Sequence, residues 1–219
     1  MEDFLATETI FFTSADGLTL EGRLATPEGP PLKGGVVLCH PHPQYGGSMS
    51  SKLIPALQRA LLAAGWAALR FNFRGVGRSE GSFDDGVGEV ADVRGALARV
   101  REAVAEPAAV VGWSFGALVA LNAVADDPGV AAYVGVAPPV RAAFEGTFIL
   151  PQVSALDAWK ARALLVGGTT DPFCRPDDLR ALAGQLPSAD VRVVEGADHF
   201  FSDHTDELTA IVTGFVDEI

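Results

Sequence analysis

Residues 108–117 read Ala-Ala-Val-Val-Gly-Trp-Ser-Phe-Gly-Ala, an apolar run followed by a serine between two glycines. The apolar run predicts a buried strand, and the residues from Leu118 to Ala125 predict a helix. Gly112 and Gly116 keep the turn free of bulky side chains, so the chain can bend sharply at Ser114. In a G-x-S-x-G pattern of this kind the serine hydroxyl stands out from the sheet edge, which makes Ser114 a candidate nucleophile. The alternative is a purely structural role, in which Ser114 only caps its helix.

Short apolar runs alternate with helical patterns along the rest of the chain, and this alternation predicts a parallel sheet covered by helices. The predicted buried strands are Val36–Cys39, Ala67–Phe71, Ala108–Gly112, Tyr133–Ala137, Ala163–Gly167 and Val191–Val194. Apolar residues spaced three or four apart predict helices over Leu53–Leu61, Val90–Val104 and Leu208–Ile219. Before them, Thr9–Ser14 and Leu18–Ala25 flank Asp16-Gly17, which predicts an antiparallel hairpin. We therefore expect an α/β fold in one domain, residues 1–219.

Composition excludes several classes of protein. Hydrophobic residues make up 48% of the chain and charged residues 20%, which is typical of a globular core rather than of disorder. The net charge of -12 would repel nucleic acid and anionic membranes, so we expect neither as a partner. There is no signal-like N-terminus and no membrane-length apolar run, which predicts a cytoplasmic protein. We expect a monomer or a homodimer with two reduced cysteines, Cys39 and Cys174.

A serine nucleophile needs a base, and an acid that orients the base. Proteins with this motif place them in the chain order serine, acid, histidine, each at the carboxyl end of a strand. His199 follows the last predicted strand and fits this order better than the other three histidines. Asp171 follows the strand before it and is the preferred acid. Its alternatives are Asp177, Asp178 and Asp198.

Backbone N–H groups that could stabilise an oxyanion lie at two places. Phe115 follows the serine at a helix N-terminus, where N–H groups and the helix dipole favour negative charge. The second donor should come from the loop at residues 40–47, where Pro41 and Pro43 cannot donate. His42 is our preferred second donor, through its backbone, and Gln44 and Tyr45 remain the alternatives.

Two patterns suggest other chemistry and are weak. His40 and His42 lie two apart without a clear third ligand, so we expect no metal site. Gly75-Val76-Gly77 begins like a dinucleotide-binding loop, but Glu80 stands where the third glycine would be needed.

Together, these segments resemble the α/β-hydrolase superfamily: His40-Pro41-His42-Pro43, Asn72 to Ser79, Gly112 to Gly116, Asp171 and Gly196-Ala197-Asp198-His199. The chain is most similar in pattern to small, lidless bacterial serine hydrolases with an H-P-H-P segment, which are related to carboxylesterases and to the dienelactone hydrolase group. The resemblance implies an eight-stranded, mostly parallel sheet with helices on both faces, and hydrolysis of esters or thioesters through an acyl-enzyme without a cofactor. The chain differs from the dienelactone hydrolase group at Ser114, where that group has cysteine.

The substrate pocket is predicted from a short connector. Only residues 138–162 lie between two predicted strands where capped relatives carry a lid, so a full lid domain cannot fit. We expect the pocket to be lined by Gln44, Tyr45, Trp113, Phe144 and Phe148, although the connector side chains could instead only cover the sheet. A lidless site offers little apolar area, which favours short acyl chains. The alternatives are an amide or peptide hydrolase with the same three residues, or a non-catalytic binding protein on this scaffold.

Overall fold

The computed structural model describes residues 7–28, 32–104, 107–141, 156 and 159–219. The strands are β1 (Thr7–Thr13), β2 (Thr19–Ala25), β3 (Gly35–Cys39), β4 (Ala67–Phe71), β5 (Ala108–Trp113), β6 (Val130–Val136), β7 (Arg162–Gly168) and β8 (Ala189–Val194). The helices are α1 (Leu53–Ala63), α2 (Gly88–Ala103), α3 (Phe115–Val124), α4 (Pro176–Ala183) and α5 (Thr205–Val216).

The strands form one sheet in the order β1-β2-β4-β3-β5-β6-β7-β8. β1 and β2 pair antiparallel, β2 pairs antiparallel with β4, and the remaining pairs are parallel. The hairpin turn closes where Ser14 Oγ accepts the Leu18 N–H at 2.8 Å and Gly17 takes a φ of 99°. The predicted α/β class, parallel sheet and N-terminal hairpin are therefore confirmed.

Helices cover both faces of the sheet because neighbouring residues of the central strands point to opposite sides. Val37 and Cys39 face the layer of α2, α3 and α4, whereas Val36 and Leu38 face the layer of α1 and α5. The central strands are buried along their whole length, which explains why they appear in the sequence as continuous apolar runs. No helix in the part of the chain that the structure describes is long and apolar enough to cross a bilayer.

Most predicted bounds differ from the structure by one to three residues. β6 begins at Val130, before the predicted Tyr133, and α3 begins directly at Phe115 because the turn at the serine leads straight into the helix. α5 ends at Val216, although Ile219 still packs against its layer of the core. These shifts leave the carboxyl ends of β3 to β8 together at one edge of the sheet, where an open α/β sheet binds its ligands.

Candidate active site

Ser114 lies between the end of β5 and the start of α3, in a backbone conformation that few residues other than glycine adopt. Its φ is 56° and its N–H donates to the Val136 carbonyl at 2.8 Å. The turn is tight on both sides. A Cβ on Gly112 would lie 2.3 Å from the Gly116 carbonyl oxygen, and one on Gly116 would lie 2.4 Å from the His40 carbonyl oxygen. The Ser114 hydroxyl makes no capping bond to α3, so the side chain is available for other contacts.

The Ser114 hydroxyl lies in a hydrogen-bonded chain with the two residues that the sequence indicated as base and acid. Ser114 Oγ is 2.9 Å from His199 Nε2, and His199 Nδ1 is 2.8 Å from Asp171 Oδ2. The second Asp171 oxygen accepts the N–H groups of Phe173 and Cys174 at 2.8 and 3.1 Å. With Nδ1–H donated to the carboxylate, Nε2 carries the lone pair that can take the serine proton. All three residues are at least nine-tenths buried, which strengthens these interactions.

The three alternative acids are engaged elsewhere or make no contact with the histidine. Asp198 accepts the N–H groups of Phe200 and Ser202, both at 3.1 Å, and so shapes the loop that carries His199. Asp177 pairs with Arg180 on α4. Among the described residues, no hydrogen bond joins Asp177, Asp178 or Asp198 to the His199 ring. The structure therefore brings only Asp171 of the four to His199.

The loops after β7 and β8 are held together at a glycine. Thr170 donates to the Ala197 carbonyl through its N–H at 3.1 Å and through its hydroxyl at 2.8 Å. A Cβ on Gly168 would lie 2.0 Å from that same oxygen, so only glycine lets the loops approach so closely. The indole N–H of Trp113, at the end of β5, donates to the His199 carbonyl at 3.1 Å and so fixes the loop after β8 against β5. These contacts set the separation of Asp171 and His199.

The loop after β3 forms a short 3-10 turn at Pro43–Tyr45, which begins after His42. The Gln44 N–H donates to His42 Nδ1 at 3.2 Å, and the Tyr45 N–H donates to the His42 carbonyl at 3.1 Å. Two of the three candidate oxyanion donors in this loop are thus engaged inside the turn. The His42 ring packs on Phe115, with ring centres 4.8 Å apart, so this loop and the start of α3 are in contact beside Ser114. Burial lowers the pKa of His42.

His40 ties the same loop to the end of β4. Its Nδ1 donates to the Pro41 carbonyl at 2.6 Å, while its Nε2 accepts the Phe73 N–H at 3.1 Å. Complete burial lowers the pKa of His40 to about 4, which keeps the ring neutral. Both ring nitrogens are engaged, so neither is open to a metal. Within residues 7–28, 32–104, 107–141, 156 and 159–219, no group of three or more histidine, cysteine or acidic side chains could hold a metal.

The glycine-rich segment at residues 74–81 is a structural loop. The Gly75 N–H donates to the Glu80 carbonyl at 3.0 Å, which closes the loop on itself. Arg74 is buried and pairs with the fully buried Asp92 at 2.7 Å. Glu21 of β2 accepts the Arg78 N–H at 3.0 Å, and this carboxylate would repel a phosphate.

A cavity of about 610 Å³ opens beside Ser114 and His199. Its described lining comprises Pro41, His42, Gln44, Tyr45, Phe83, Asp85, Trp113, Ser114, Phe115, Pro139, Phe173, His199 and Phe200. Gln44, Tyr45 and Trp113 were predicted to line the pocket; Phe144 and Phe148 lie outside the described residues. Tyr45 at the rim is 88% exposed, so the cavity is open on that side.

Sequence reasoning did not predict five of the lining residues, Pro41, Phe83, Asp85, Phe173 and Phe200. Phe173 and Phe200 lie next to the acid and the base in the chain, and this adjacency could have identified them. Phe83 and Asp85 come from a loop far along the chain from the other site residues, and no motif marks them.

A family model described as the alpha/beta hydrolase fold matches residues 35–163 of this chain. The chain therefore belongs to the α/β-hydrolase family, and the predicted family is confirmed.

Individual relatives resemble the chain over nearly its whole length. Protein RP471 of Rickettsia prowazekii is 33% identical over 215 residues, which cover 94% of this chain and 87% of that protein. The structure of an α/β serine hydrolase homologue from Coxiella burnetii is 30% identical, with a TM-score of 0.82 over 98% of this chain and 99% of that one. The protein XC6422 from Xanthomonas campestris, described as an α/β serine hydrolase without a lid, is 28% identical, with a TM-score of 0.80 over 97% of this chain and 94% of that one.

Proposed function

We propose that this protein hydrolyses carboxylic esters or thioesters through an acyl-enzyme formed on Ser114. The observation that carries the proposal is the buried chain of hydrogen bonds from Ser114 through His199 to Asp171, which faces an open cavity. The 2.9 Å between Ser114 Oγ and His199 Nε2 lies within the range that proton transfer from a serine hydroxyl to an imidazole requires.

In the first half of the reaction Ser114 Oγ attacks the carbonyl carbon and its proton passes to His199 Nε2. The Asp171 carboxylate then stabilises the imidazolium that forms. The N–H groups of Phe115 and His42 are the proposed oxyanion donors; the support for His42 is that Gln44 and Tyr45 already donate within the turn. His199 returns its proton to the leaving alcohol or thiol, and water then hydrolyses the acyl-enzyme by the same route.

Short acyl chains suit this site best. The described part of the cavity is wide and open, with Tyr45, Phe173 and Phe200 exposed around its mouth, rather than a long apolar tunnel. An open mouth buries little of a long chain, so further methylene groups would add little binding free energy.

A fluorophosphonate probe tests the nucleophile. It is expected to label the wild-type protein once, and Ser114→Ala is expected to abolish labelling. Ser188→Ala, which changes an exposed serine before β8, is the matched control and should label normally. Labelling that persists in Ser114→Ala would refute the assignment.

A panel of p-nitrophenyl esters from acetate to laurate, with matched thioesters and anilides, tests the substrate class. We expect the highest kcat/KM for acetate to butyrate. Faster turnover of long chains would refute the chain-length preference, and turnover of anilides alone would indicate an amidase. No turnover of any substrate, together with no labelling, would indicate a binding protein.

A further inference from the structure

The cavity beside Ser114 has one carboxylate in its described lining. Asp85 is the only aspartate, glutamate, lysine or arginine among the described residues that line it. Its carboxylate makes no hydrogen bond or ion pair with the part of the chain that the structure describes, whereas the carboxylate of Asp84, its neighbour, lies near the Arg74 guanidinium around Gly88. Arg94, which lines a smaller neighbouring cavity together with Asp85, is paired with Asp126 at 2.9 Å. The Asp85 charge is therefore left facing the cavity.

The backbone holds Asp85 in place without the help of its side chain. Asp85 and Gly86 both have positive φ, 50° and 87°, and the Val87 N–H donates to the Asp84 carbonyl at 2.9 Å. This is the pattern of a type I′ turn. The fully buried Glu89 carboxylate accepts the N–H groups of Asp84 and Gly86, both at 2.9 Å. Glu89 therefore fixes the backbone of the turn on both sides of Asp85. Asp85 itself is the second of the four turn residues.

Several aromatic rings line the same cavity as Asp85. The His42 ring packs against Tyr45, Phe83 and Phe115, with ring centres 4.7, 4.8 and 4.8 Å apart. The His42 Nδ1 accepts the Gln44 N–H and so carries no proton, which leaves the ring without a positive charge. Burial lowers the pKa of His42, although the nearby Asp85 carboxylate acts to raise it. A carboxylate beside several aromatic faces is the surface that an ammonium group prefers, because the charge attraction and the cation–π attraction act together.

We propose that Asp85 and the aromatic cluster of His42, Tyr45, Phe83 and Phe115 select esters that carry an ammonium group. This inference rests on the proposed ester hydrolysis and adds the charge of the substrate to it. Asp85 acts as a specificity-determining residue for binding and takes no part in bond breaking. The net charge of -12 works in the same direction, because it attracts cationic esters and repels anionic ones.

Two esters of equal shape test the proposal. Choline butyrate and 3,3-dimethylbutyl butyrate differ at one atom, which is a quaternary nitrogen in the choline ester and a carbon in the neutral ester. We expect wild-type kcat/KM to favour the choline ester by about three- to tenfold, through a lower KM, since exposed charge pairs and cation–π contacts are each modest. The preference should shrink as salt is added.

Asp85→Asn removes the charge and keeps a residue that tolerates positive φ. We expect it to lose most of the preference, measured as the ratio of kcat/KM for the choline ester to kcat/KM for the neutral ester, because the removed interaction concerns only the cation. Glu102→Gln, an exposed residue near the far end of α2, removes the same charge away from the cavity and should keep the preference.

Equal turnover of the two esters by the wild type, or a preference that survives in Asp85→Asn, would overturn the inference while ester hydrolysis stands. If neither ester is hydrolysed and Ser114 is not labelled, the proposed function fails instead. In that case calorimetric titration with choline tests the role of Asp85 without hydrolysis, and 3,3-dimethylbutanol is the neutral control. Choline must bind the wild type more tightly than it binds Asp85→Asn, and equal binding refutes the role of Asp85.

Discussion

Replacing Gly168 by alanine is expected to separate the two loops that carry Asp171 and His199. The new Cβ would lie 2.0 Å from the Ala197 carbonyl oxygen and 2.5 Å from its carbon, and both partner atoms belong to the backbone. No side-chain rotation can relieve this contact. The backbone of one loop must therefore move away from the other.

The size of the movement follows from ordinary contact distances. Carbon and oxygen pack without strain at roughly 3.4 Å, so the loops must part by at least about 1 Å. A shift of that size stretches the 2.8 Å bond between His199 Nδ1 and Asp171 Oδ2 beyond hydrogen-bond range. Misplacement by 1 Å lowers rates by about 10²-fold, and complete loss of the acid by about 10⁴-fold. We expect kcat/KM to fall between these limits, with about 1–3 kcal/mol lost from the free energy of unfolding.

The assay is steady-state hydrolysis of p-nitrophenyl butyrate, with the rate of fluorophosphonate labelling and the thermal midpoint measured on the same samples. Gly214→Ala is the matched control, because Gly214 lies on the exposed side of α5 with nothing within 4 Å of an added Cβ. It should leave kcat/KM unchanged and raise stability by roughly 0.5–1 kcal/mol. If the folded Gly168→Ala protein had the kcat/KM of the wild type, the contact of Gly168 with Ala197 would not be what sets the separation of Asp171 and His199.

Three further predictions concern buried polar groups. Asp171→Asn keeps the shape of the side chain but cannot stabilise the imidazolium of His199. Steady-state kinetics should show kcat lowered by about 10⁴-fold, and thermal melting should show little loss of stability. His40 stays neutral in the folded protein because burial lowers its pKa from 6.5 to about 4, so between these pH values the unfolded chain binds the extra proton. The free energy of unfolding should therefore fall by about 3 kcal/mol as pH drops through that window, and urea titrations of His40→Gln should show a weaker dependence. Asp92→Ala removes the fully buried ion-pair partner of Arg74 and leaves the half-exposed Asp16 as its remaining ion pair among the described residues. Urea unfolding should show a loss of about 3 kcal/mol, and an unchanged midpoint would contradict this interpretation of the ion pair.

Much of the fold was predictable because its signals are local. β3 and β5 are buried on both faces, so they appear as uninterrupted apolar runs, and the serine between Gly112 and Gly116 marks a sharp strand-to-helix turn. The start of β6 was missed because its first residues, Val130-Ala131-Ala132, include small side chains that carry little strand signal. The end of α5 was missed because the apolar spacing continues to Ile219, beyond the last helical residue.

The candidate site was predictable only in part. The order of serine, acid and histidine along the chain identified Ser114, Asp171 and His199 as candidates, and their roles remain the proposal that probe labelling and substitution will test. Phe83 and Asp85 were not predictable, because they come from a loop whose sequence carries no motif, whereas Phe173 and Phe200 could have been identified from their adjacency to Asp171 and His199.

The sequence by itself determined the alternation of strands and helices and the position of the serine turn, since these depend on residues close together in the chain, and it indicated the family through the order of several motifs. Only the tertiary structure decided which of four aspartates meets His199 and which N–H groups of the loop after β3 are already engaged. The physical reason is that a hydrogen bond depends on tenths of an ångström between atoms from distant segments. That spacing is set by packing such as the contact of Gly168 with Ala197, which no local pattern encodes.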